Sequence, residues 1–227
     1  MSKESAELIW NLMGTLFKSH PWHGVQPGDD APNTLQVYIE MTPTDTVKYE
    51  TDKVTGHLML DRPQRYSNVN PALYGFIPKT YSDTRVAKLC ADATGREDIV
   101  GDGDPVDICV LSEKHISHGD ILLNCIPLGG FRMIDDKEAD DKIIAVLAGD
   151  AAYGQMKDIE EVPPPVIDRL KHYFLTYKMG PNQRKNACEI VEVYGRDRAH
   201  AVIQAGLEDY QQHFGNLPEL VASALKD

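Results

Sequence analysis

Residues 101–111 constrain this chain more than any other stretch, because they place three aspartates within six positions and lead directly into an apolar, β-branched run. The aspartates are Asp102, Asp104 and Asp107. Carboxylates this close repel one another unless a cation, hydrogen bonds or protonation relieves them. Gly103 and Pro105 disfavour a helix and bend the segment, so the carboxylates can converge on one point. Oxygen ligands favour Mg²⁺, Mn²⁺ or Ca²⁺ over zinc, so the stretch predicts a magnesium site at a strand entrance.

Two other interpretations of this stretch are an EF-hand loop, which the sequence does not fit, and a solvated acidic turn, which stays open. Counted from Asp102, an EF-hand loop would place Glu113 at position twelve, but position six is Asp107 instead of glycine. A strand-like run also follows where an EF-hand has a helix. A solvated acidic turn is the other interpretation, since aspartate, glycine and proline often cluster in such turns.

Length and composition indicate an ordinary soluble globular chain. The 227 residues are 42% hydrophobic and 26% charged, which predicts one domain over 1–227. The net charge of −12 disfavours nucleic acid and anionic membrane as partners, because both would repel it. No apolar run approaches the roughly 20 residues of a membrane span, and Glu4 and Glu7 stand where a signal peptide would be apolar. The four cysteines form no Cys-x-x-Cys pair, so we expect a reduced, cytoplasmic protein.

The first half of the chain reads as a helix followed by short strands. Apolar residues recur at helical spacing over residues 2–19, which predicts an N-terminal helical extension covering 1–21. An irregular segment follows over 20–35, and strands are predicted at 35–41, 46–52 and 55–61. Residues 63–81 are rich in turn formers. Residues 82–101 are polar and unperiodic, so we interpret them as an inserted loop or short hairpin.

The second half adds another acidic cluster and a helical end. Strands are predicted near 120–133 and 142–148, joined by an acidic connection that contains Asp135 and Asp140. That connection is either a solubilising turn or a second part of the metal site. The last third predicts a helix from the prolines at 163–165 to a basic end at Lys178, a strand at 189–194, and helices at 198–214 and 218–226.

Cationic and phenolic side chains form a second set, separate from the acids: Lys48, Arg62, Tyr74, Lys142, Tyr177 and Lys178. Carboxylates that load divalent cations, together with lysine and arginine that hold anionic oxygens, are the groups that phosphoryl transfer requires. The chain has no Gly-x-x-x-x-Gly-Lys-Ser/Thr phosphate loop and no Gly-x-Ser-x-Gly nucleophile motif.

Several motifs resemble the soluble family I inorganic pyrophosphatases, in matching order across roughly residues 22–215. The acidic stretch 102–107 resembles the signature of that family. The other matching segments are 47–53, 61–62, 74–75, the spacing of Asp135, Asp140 and Lys142, and 177–178. The resemblance implies a mainly β (α+β) fold, a five-stranded OB-like closed barrel with C-terminal helices and the extra N-terminal helix.

The resemblance also implies Mg²⁺-dependent hydrolysis of pyrophosphate to two phosphates. Asp102, Asp107 and Asp140 would hold the tight metal, and Asp135, Glu40 and Glu50 would hold ions that arrive with substrate. The nucleophile would be a water between two metals, whose proton Asp104 would accept. Asp104, Lys142 and Tyr74 are therefore the predicted catalytic residues. The predicted substrate-binding residues are Lys48, Arg62, Tyr74, Lys142, Tyr177 and Lys178.

The chain departs from the family pattern at Asn70, where the family commonly has tyrosine before the proline. The N-terminal helix and the 82–101 insertion are longer than in compact members. Members of the family form hexamers or dimers, so we expect a homo-oligomer. Two alternatives remain: the same fold acting on another phosphoanhydride, which Asn70 would favour, or a non-catalytic divalent-cation module, which leaves Lys48, Arg62 and Lys142 unexplained.

Overall fold

The computed structural model describes residues 3–182 and 188–224 of the chain. Its helices are α1 (Lys3–Leu16), α2 (Thr84–Thr94), α3 (Pro164–Thr176), α4 (Arg196–Phe214) and α5 (Leu217–Ala224), with a 3-10 turn at Ile159–Glu161. Its strands are β1 (Leu35–Met41), β2 (Val47–Thr51), β3 (Leu58–Pro63), β4 (Leu73–Phe76), β5 (Val100–Gly101), β6 (Asp107–Leu111), β7 (Ile121–Asp135), β8 (Glu138–Ala139), β9 (Lys142–Leu147) and β10 (Cys188–Gly195).

An eight-stranded sheet forms the centre of the molecule, and helices pack on it in a mixed α+β arrangement. Hydrogen bonds lead from β1 to β4, β6, β9 and β7, and β7 pairs again with β1. The long strand β7 also pairs with β8 and β10, while β2 and β3 form a separate two-stranded ribbon. The predicted β-rich architecture with C-terminal helices is therefore present.

The hydrophobic core lies on both faces of the sheet. Ile143 packs in one cluster with Val86 of α2 and Val202 of α4. Its neighbour Ile144 packs in the other cluster with Leu170 of α3. Successive side chains of a strand point to opposite faces, so the apolar run of β9 supplies both clusters at once.

The interpretation of residues 82–101 as a loop or short hairpin is wrong, because they contain helix α2 and strand β5. The polar composition hides a narrow apolar stripe in which Val86, Ala87 and Cys90 are buried. The buried Asp209 carboxylate of α4 accepts hydrogen bonds from the amides of Arg85 at 3.0 Å and Val86 at 3.3 Å. A tertiary contact therefore supplies the hydrogen-bond acceptor for the first-turn amides of α2, where the local sequence offers no side-chain cap.

Sequence interpretation also missed β4, which lies inside the turn-rich segment 63–81. This strand pairs with β1 on one side and β6 on the other. A Cβ atom at Gly75 would lie 1.9 Å from the Tyr38 carbonyl oxygen, so the close approach of β1 and β4 requires glycine there. The four residues of β4 stand between turn-forming residues, and a run this short has too little periodicity to predict a strand.

The remaining element predictions are confirmed, with ends that differ by three residues or fewer. Residue 2 of the predicted N-terminal helix and residues 225–226 of the last predicted helix lie outside the described residues. The four cysteines, all among the described residues, are buried and form no disulfide. Across residues 3–182 and 188–224, none of the helices has both the length and the apolarity needed to cross a membrane.

Candidate active site

Two parallel strand pairings bring the two acidic segments to one place. Strand β5 pairs with β8 in a register that sets Gly101 opposite Ala139. The residues that follow them, Asp102 and Asp140, therefore leave the pairing side by side. Strand β6 pairs with β9 so that Asp107 stands opposite Lys142. The sequence could place each cluster beside a strand, but only the register of these strands joins them.

The acidic loop between β5 and β6 is held by its backbone. Gly103 has a φ of 74°, a conformation that glycine adopts without strain. The Asp104 amide donates to Oδ1 of Asp102 at 2.9 Å, and the Asp104 carbonyl accepts from the Ser82 amide at 2.8 Å. The loop is thus fixed on the segment before α2 without using the carboxylate of Asp104.

Lys142 is the central cation of the site. Its side chain is 3% exposed, and its ammonium contacts the Asp107 carboxylate and lies 2.5 Å from Oδ1 of Asp140. Burial alone would lower the pKa of this ammonium, but the two carboxylates hold the pKa well above its usual value. The Tyr74 hydroxyl donates to Oδ2 of Asp107 at 2.6 Å. Burial, and next the Asp107 charge, raise the pKa of Tyr74, so this phenol stays protonated.

If all of them were ionised, the carboxylates would carry more negative charge than the nearby lysines offset. Burial raises the pKa of Asp102 to about 8, and the Asp140 and Asp107 charges add to the shift. Burial also raises the pKa of Asp140, against the opposing effect of Lys142. This repulsion between oxygen donors is what a bound divalent cation relieves, so the donor set fits Mg²⁺.

The carboxylates are held in this arrangement by ammonium groups. Within the described ranges, no three acidic, histidine or cysteine side chains are grouped so that they could hold a metal ion as they stand. Lys142 lies between two of the predicted ligands, and the Lys53 ammonium contacts Asp104.

A further side of the site is formed by Glu40, Glu50 and Lys48. Glu40 is buried on β1, and its Oε1 accepts from the Thr51 amide at 2.7 Å. Burial raises the pKa of Glu40 to about 7, although the Thr51 hydrogen bonds oppose the shift. The Lys48 ammonium lies 2.6 Å from Oε2 of Glu50 and 3.3 Å from Oδ2 of Asp61.

The end of α3 forms the remaining side of the site. Tyr177 follows the last helical residue, and the next residue, Lys178, contacts the Asp135 carboxylate. The Cys188 thiol also donates to Oδ1 of Asp135 at 3.2 Å. Although burial would raise the pKa of Asp135, the hydrogen bonds from Lys178 and Cys188 hold it below its usual value. Burial raises the pKa of Tyr177 to about 12, so it too is a neutral hydrogen-bond donor.

A cavity of about 210 Å³ collects most of the predicted site residues. Its lining includes Lys48, Tyr74, Asp102, Asp104, Asp107, Asp135, Asp140, Lys142, Tyr177 and Lys178. A smaller space of about 80 Å³ shares part of that lining and adds Glu40 and Glu50. Arg62 lines neither space. It stands opposite Lys48 in the β2–β3 register and contacts Asp61, the carboxylate that Lys48 also approaches.

Several residues that lie in or beside the site have no role in the sequence prediction. Lys53 contacts Asp104, and Cys188 contacts Asp135. Tyr173 and Phe174 line the cavity from α3. Tyr173 could have been found, because it precedes Tyr177 by four residues and helical residues at that spacing share a face. The Cys188 contact spans 53 positions and had no local signal.

The chain is similar to known inorganic pyrophosphatases in both sequence and structure. The sequence model of the family described as inorganic pyrophosphatase matches residues 37–211. A protein of Chlamydia trachomatis named inorganic pyrophosphatase is 52% identical over 196 residues, which cover 85% of this chain and 94% of the relative. Soluble inorganic pyrophosphatase 2 of Chlamydomonas reinhardtii is 37% identical over 196 residues, or 86% and 91% of the two chains. The crystal structure of inorganic pyrophosphatase from Thermus thermophilus superposes with a TM-score of 0.71 at 27% identity, covering 85% of this chain and 99% of that one.

Proposed function

Because this chain belongs to the inorganic pyrophosphatase family, we propose that it catalyses the Mg²⁺-dependent hydrolysis of inorganic pyrophosphate to two phosphates. One observation carries this proposal beyond family membership. A single cavity combines a surplus of half-buried carboxylates with lysines and neutral phenols. The carboxylates suit a divalent cation, and the lysines and phenols suit phosphate oxygens.

Asp102, Asp107 and Asp140 would hold the tight metal ion, and Asp135, Glu40 and Glu50 would hold ions that enter with substrate. When bound, Mg²⁺ supplies positive charge that lowers the pKa of a water molecule and offsets the charge of the phosphates. Lys142 contacts two of these carboxylates. Its long flexible stem lets its ammonium move from carboxylate to phosphate when a cation binds.

Asp104 is the proposed general base. Its carboxylate lines the cavity, and its only direct hydrogen-bond contact within the described residues comes from the Lys53 ammonium. That ion pair is half-exposed and therefore weak enough to exchange. Asp104 would accept a proton from the attacking water, as a positioned carboxylate does in general base catalysis.

Five lysines and phenols that line the cavity would bind the two phosphate groups: Lys48, Tyr74, Lys142, Tyr177 and Lys178. Arg62, which stands opposite Lys48 outside the cavity lining, would reach a phosphate from the β2–β3 ribbon. Lys142 and Tyr74 both contact Asp107, so we place them nearest the reacting bond. There they would stabilise charge that develops on the leaving phosphate. Lys178 and Tyr177 reach the same cavity from the end of α3.

We also propose that the ring of pairings β1–β4–β6–β9–β7–β1 is an OB-like closed barrel, because each of the five strands has two partners in it. The family further suggests a homo-oligomer. A cytoplasmic location is consistent with four buried cysteines that form no disulfide.

Phosphate release from pyrophosphate tests the proposed function directly. The assay would be run with Mg²⁺, with Ca²⁺ and with EDTA, alongside ATP and p-nitrophenyl phosphate. We expect Mg²⁺-dependent release from pyrophosphate and competition by Ca²⁺. Faster release from ATP would favour a different phosphoanhydride. Tight Ca²⁺ binding without any phosphate release would favour the non-catalytic cation module.

A further inference from the structure

Tyr173 lines the cavity but is not among the residues proposed to bind metal or phosphate. It lies one turn before Tyr177 on α3, and both residues line the cavity that holds Lys142 and Lys178. The two phenol rings are stacked, with centroids 5.3 Å apart and planes inclined by 27°. The Tyr173 residue is 8% exposed, so most of its surface is packed and the ring has a fixed position.

The hydrogen bond of the Tyr173 hydroxyl determines what this group can still do. Nε2 of Gln64 donates to the hydroxyl oxygen at 3.1 Å. Because the oxygen acts as acceptor in this contact, the O–H proton remains available for donation. Burial raises the pKa of Tyr173 to about 12, so the hydroxyl keeps that proton near neutral pH.

Gln64 connects the β2–β3 ribbon with α3, and both carry residues proposed to bind phosphate. Its backbone amide donates to the Thr46 carbonyl at 2.9 Å, which fixes it at the end of the β2–β3 ribbon. That ribbon carries Lys48 and Arg62. The hydrogen bond from Gln64 therefore joins the Tyr173 hydroxyl on α3 to the ribbon that carries these two cations.

We propose that Tyr173 is a substrate-binding residue whose hydroxyl donates a hydrogen bond to a phosphate oxygen, and that Gln64 is the positioning residue that orients it. This inference rests on the proposed function, since it concerns the same cavity. A tyrosine kept only for packing would not need the hydroxyl, because phenylalanine would fill the same stack. The described contacts give the hydroxyl one donor and leave its own proton available for an acceptor on a ligand.

The test compares Tyr173→Phe, Gln64→Ala and the double variant with the wild-type protein. Binding of imidodiphosphate and of inorganic phosphate would be measured by calorimetry in the presence of Mg²⁺, together with KM and kcat for pyrophosphate. A hydrogen bond to a charged group predicts that Tyr173→Phe weakens imidodiphosphate binding and raises KM by about tenfold. Gln64→Ala should have a smaller effect, and it should add nothing in the Phe background, because the group that it orients is absent.

Tyr210→Phe is the matched control. The Tyr210 hydroxyl bonds Nδ1 of His23 at 2.9 Å, outside the lining of the cavity that holds Lys142 and Lys178. Its removal should therefore leave imidodiphosphate binding unchanged. An equal Kd for wild type and Tyr173→Phe would overturn the proposal, even if the variant had a lower Tm. If the wild-type protein binds imidodiphosphate without hydrolysing pyrophosphate, the proposed function fails, and the calorimetric comparison still decides the role of Tyr173.

Discussion

Asp140 and Asp141 are neighbours in the chain, but their carboxylates lie in two regions that treat charge differently. Asp140 points into the cavity, where it contacts Lys142. Asp141 points to the opposite face of the sheet, where Nη1 of Arg132 lies 2.7 Å from its Oδ2. The alternation of side chains at the start of β9 separates them, just as it separates Ile143 from Ile144.

The two regions use different counter-ions. Arg132 and Asp141 are almost fully buried, and the Arg132 guanidinium lies 5.1 Å from the centre of the Tyr194 ring. A planar guanidinium held in this way keeps a fixed geometry, whereas a lysine ammonium is a point charge on a flexible stem. The buried ion pair of Arg132 and Asp141, here called the closed pair, therefore fixes the segment that leads into β9. The lysine contacts leave the cavity carboxylates available for exchange with ligands.

The largest effect should follow from a change in the cavity that leaves the fold intact. We expect Asp104→Asn to reduce turnover by about 10²-fold or more, because a positioned base is lost. Its stability should change by less than about 1 kcal/mol, since the half-exposed contact with Lys53 contributes little. Steady-state kinetics and urea unfolding measure the two quantities. Full activity would remove Asp104 from the role of base.

Breaking the closed pair should affect stability first. Arg132→Met or Asp141→Leu should each lower the free energy of unfolding by about 3–5 kcal/mol, because the remaining charge is buried without its partner. The double variant should recover most of that loss, since it buries no charge. Denaturant unfolding of all three variants checks this. Single variants as stable as the wild type would mean that the pair does not fix the segment.

Ligands should stabilise the protein through the cavity alone. With Mg²⁺ and phosphate each at 100 times its Kd, we expect each ligand to raise the free energy of unfolding by about 2.7 kcal/mol, and EDTA should reverse the part due to Mg²⁺. Asp140→Asn should reduce the gain, whereas the Arg132→Met, Asp141→Leu double variant should retain it. Thermal unfolding with and without ligands measures this difference. An equal loss in both variants would contradict the separation of the two regions.

The sequence predicted the cavity better than it predicted the closed pair. Asp102, Asp107 and Lys142 belong to local motifs, and the strand register then placed them together. Arg132 and Asp141 were not selected, because an isolated arginine and one acid in an acidic turn carry no pattern. Their burial depends on the pairing of β7 with β10, which brings Tyr194 to Gly130 and cannot be inferred from periodicity.

The same reason explains the missed parts of the fold. Helix α2 is completed by Asp209, a residue more than a hundred positions away, and the Tyr173 hydroxyl is held by Gln64 across 109 positions. Such contacts depend on the assembled structure, not on local propensity. Strands β1, β6 and β9 were predictable, since each is a continuous apolar or alternating run with a clear boundary.

The smallest expected effect comes from removing one hydroxyl on each side of the sheet. The Tyr194 hydroxyl donates to Oδ2 of Asp141 at a long 3.3 Å, so Tyr194→Phe should cost about 1 kcal/mol of stability. The ring remains over Arg132, and turnover should not change. The Tyr74 hydroxyl donates to Asp107 at 2.6 Å, so Tyr74→Phe should lower turnover in addition to its cost in stability. Unfolding and kinetic measurements on both variants show whether Tyr74 acts in turnover or only in stability. If both variants lose stability but keep turnover, the Tyr74 hydroxyl has a structural role like that of the closed pair and no role in the chemistry of the cavity.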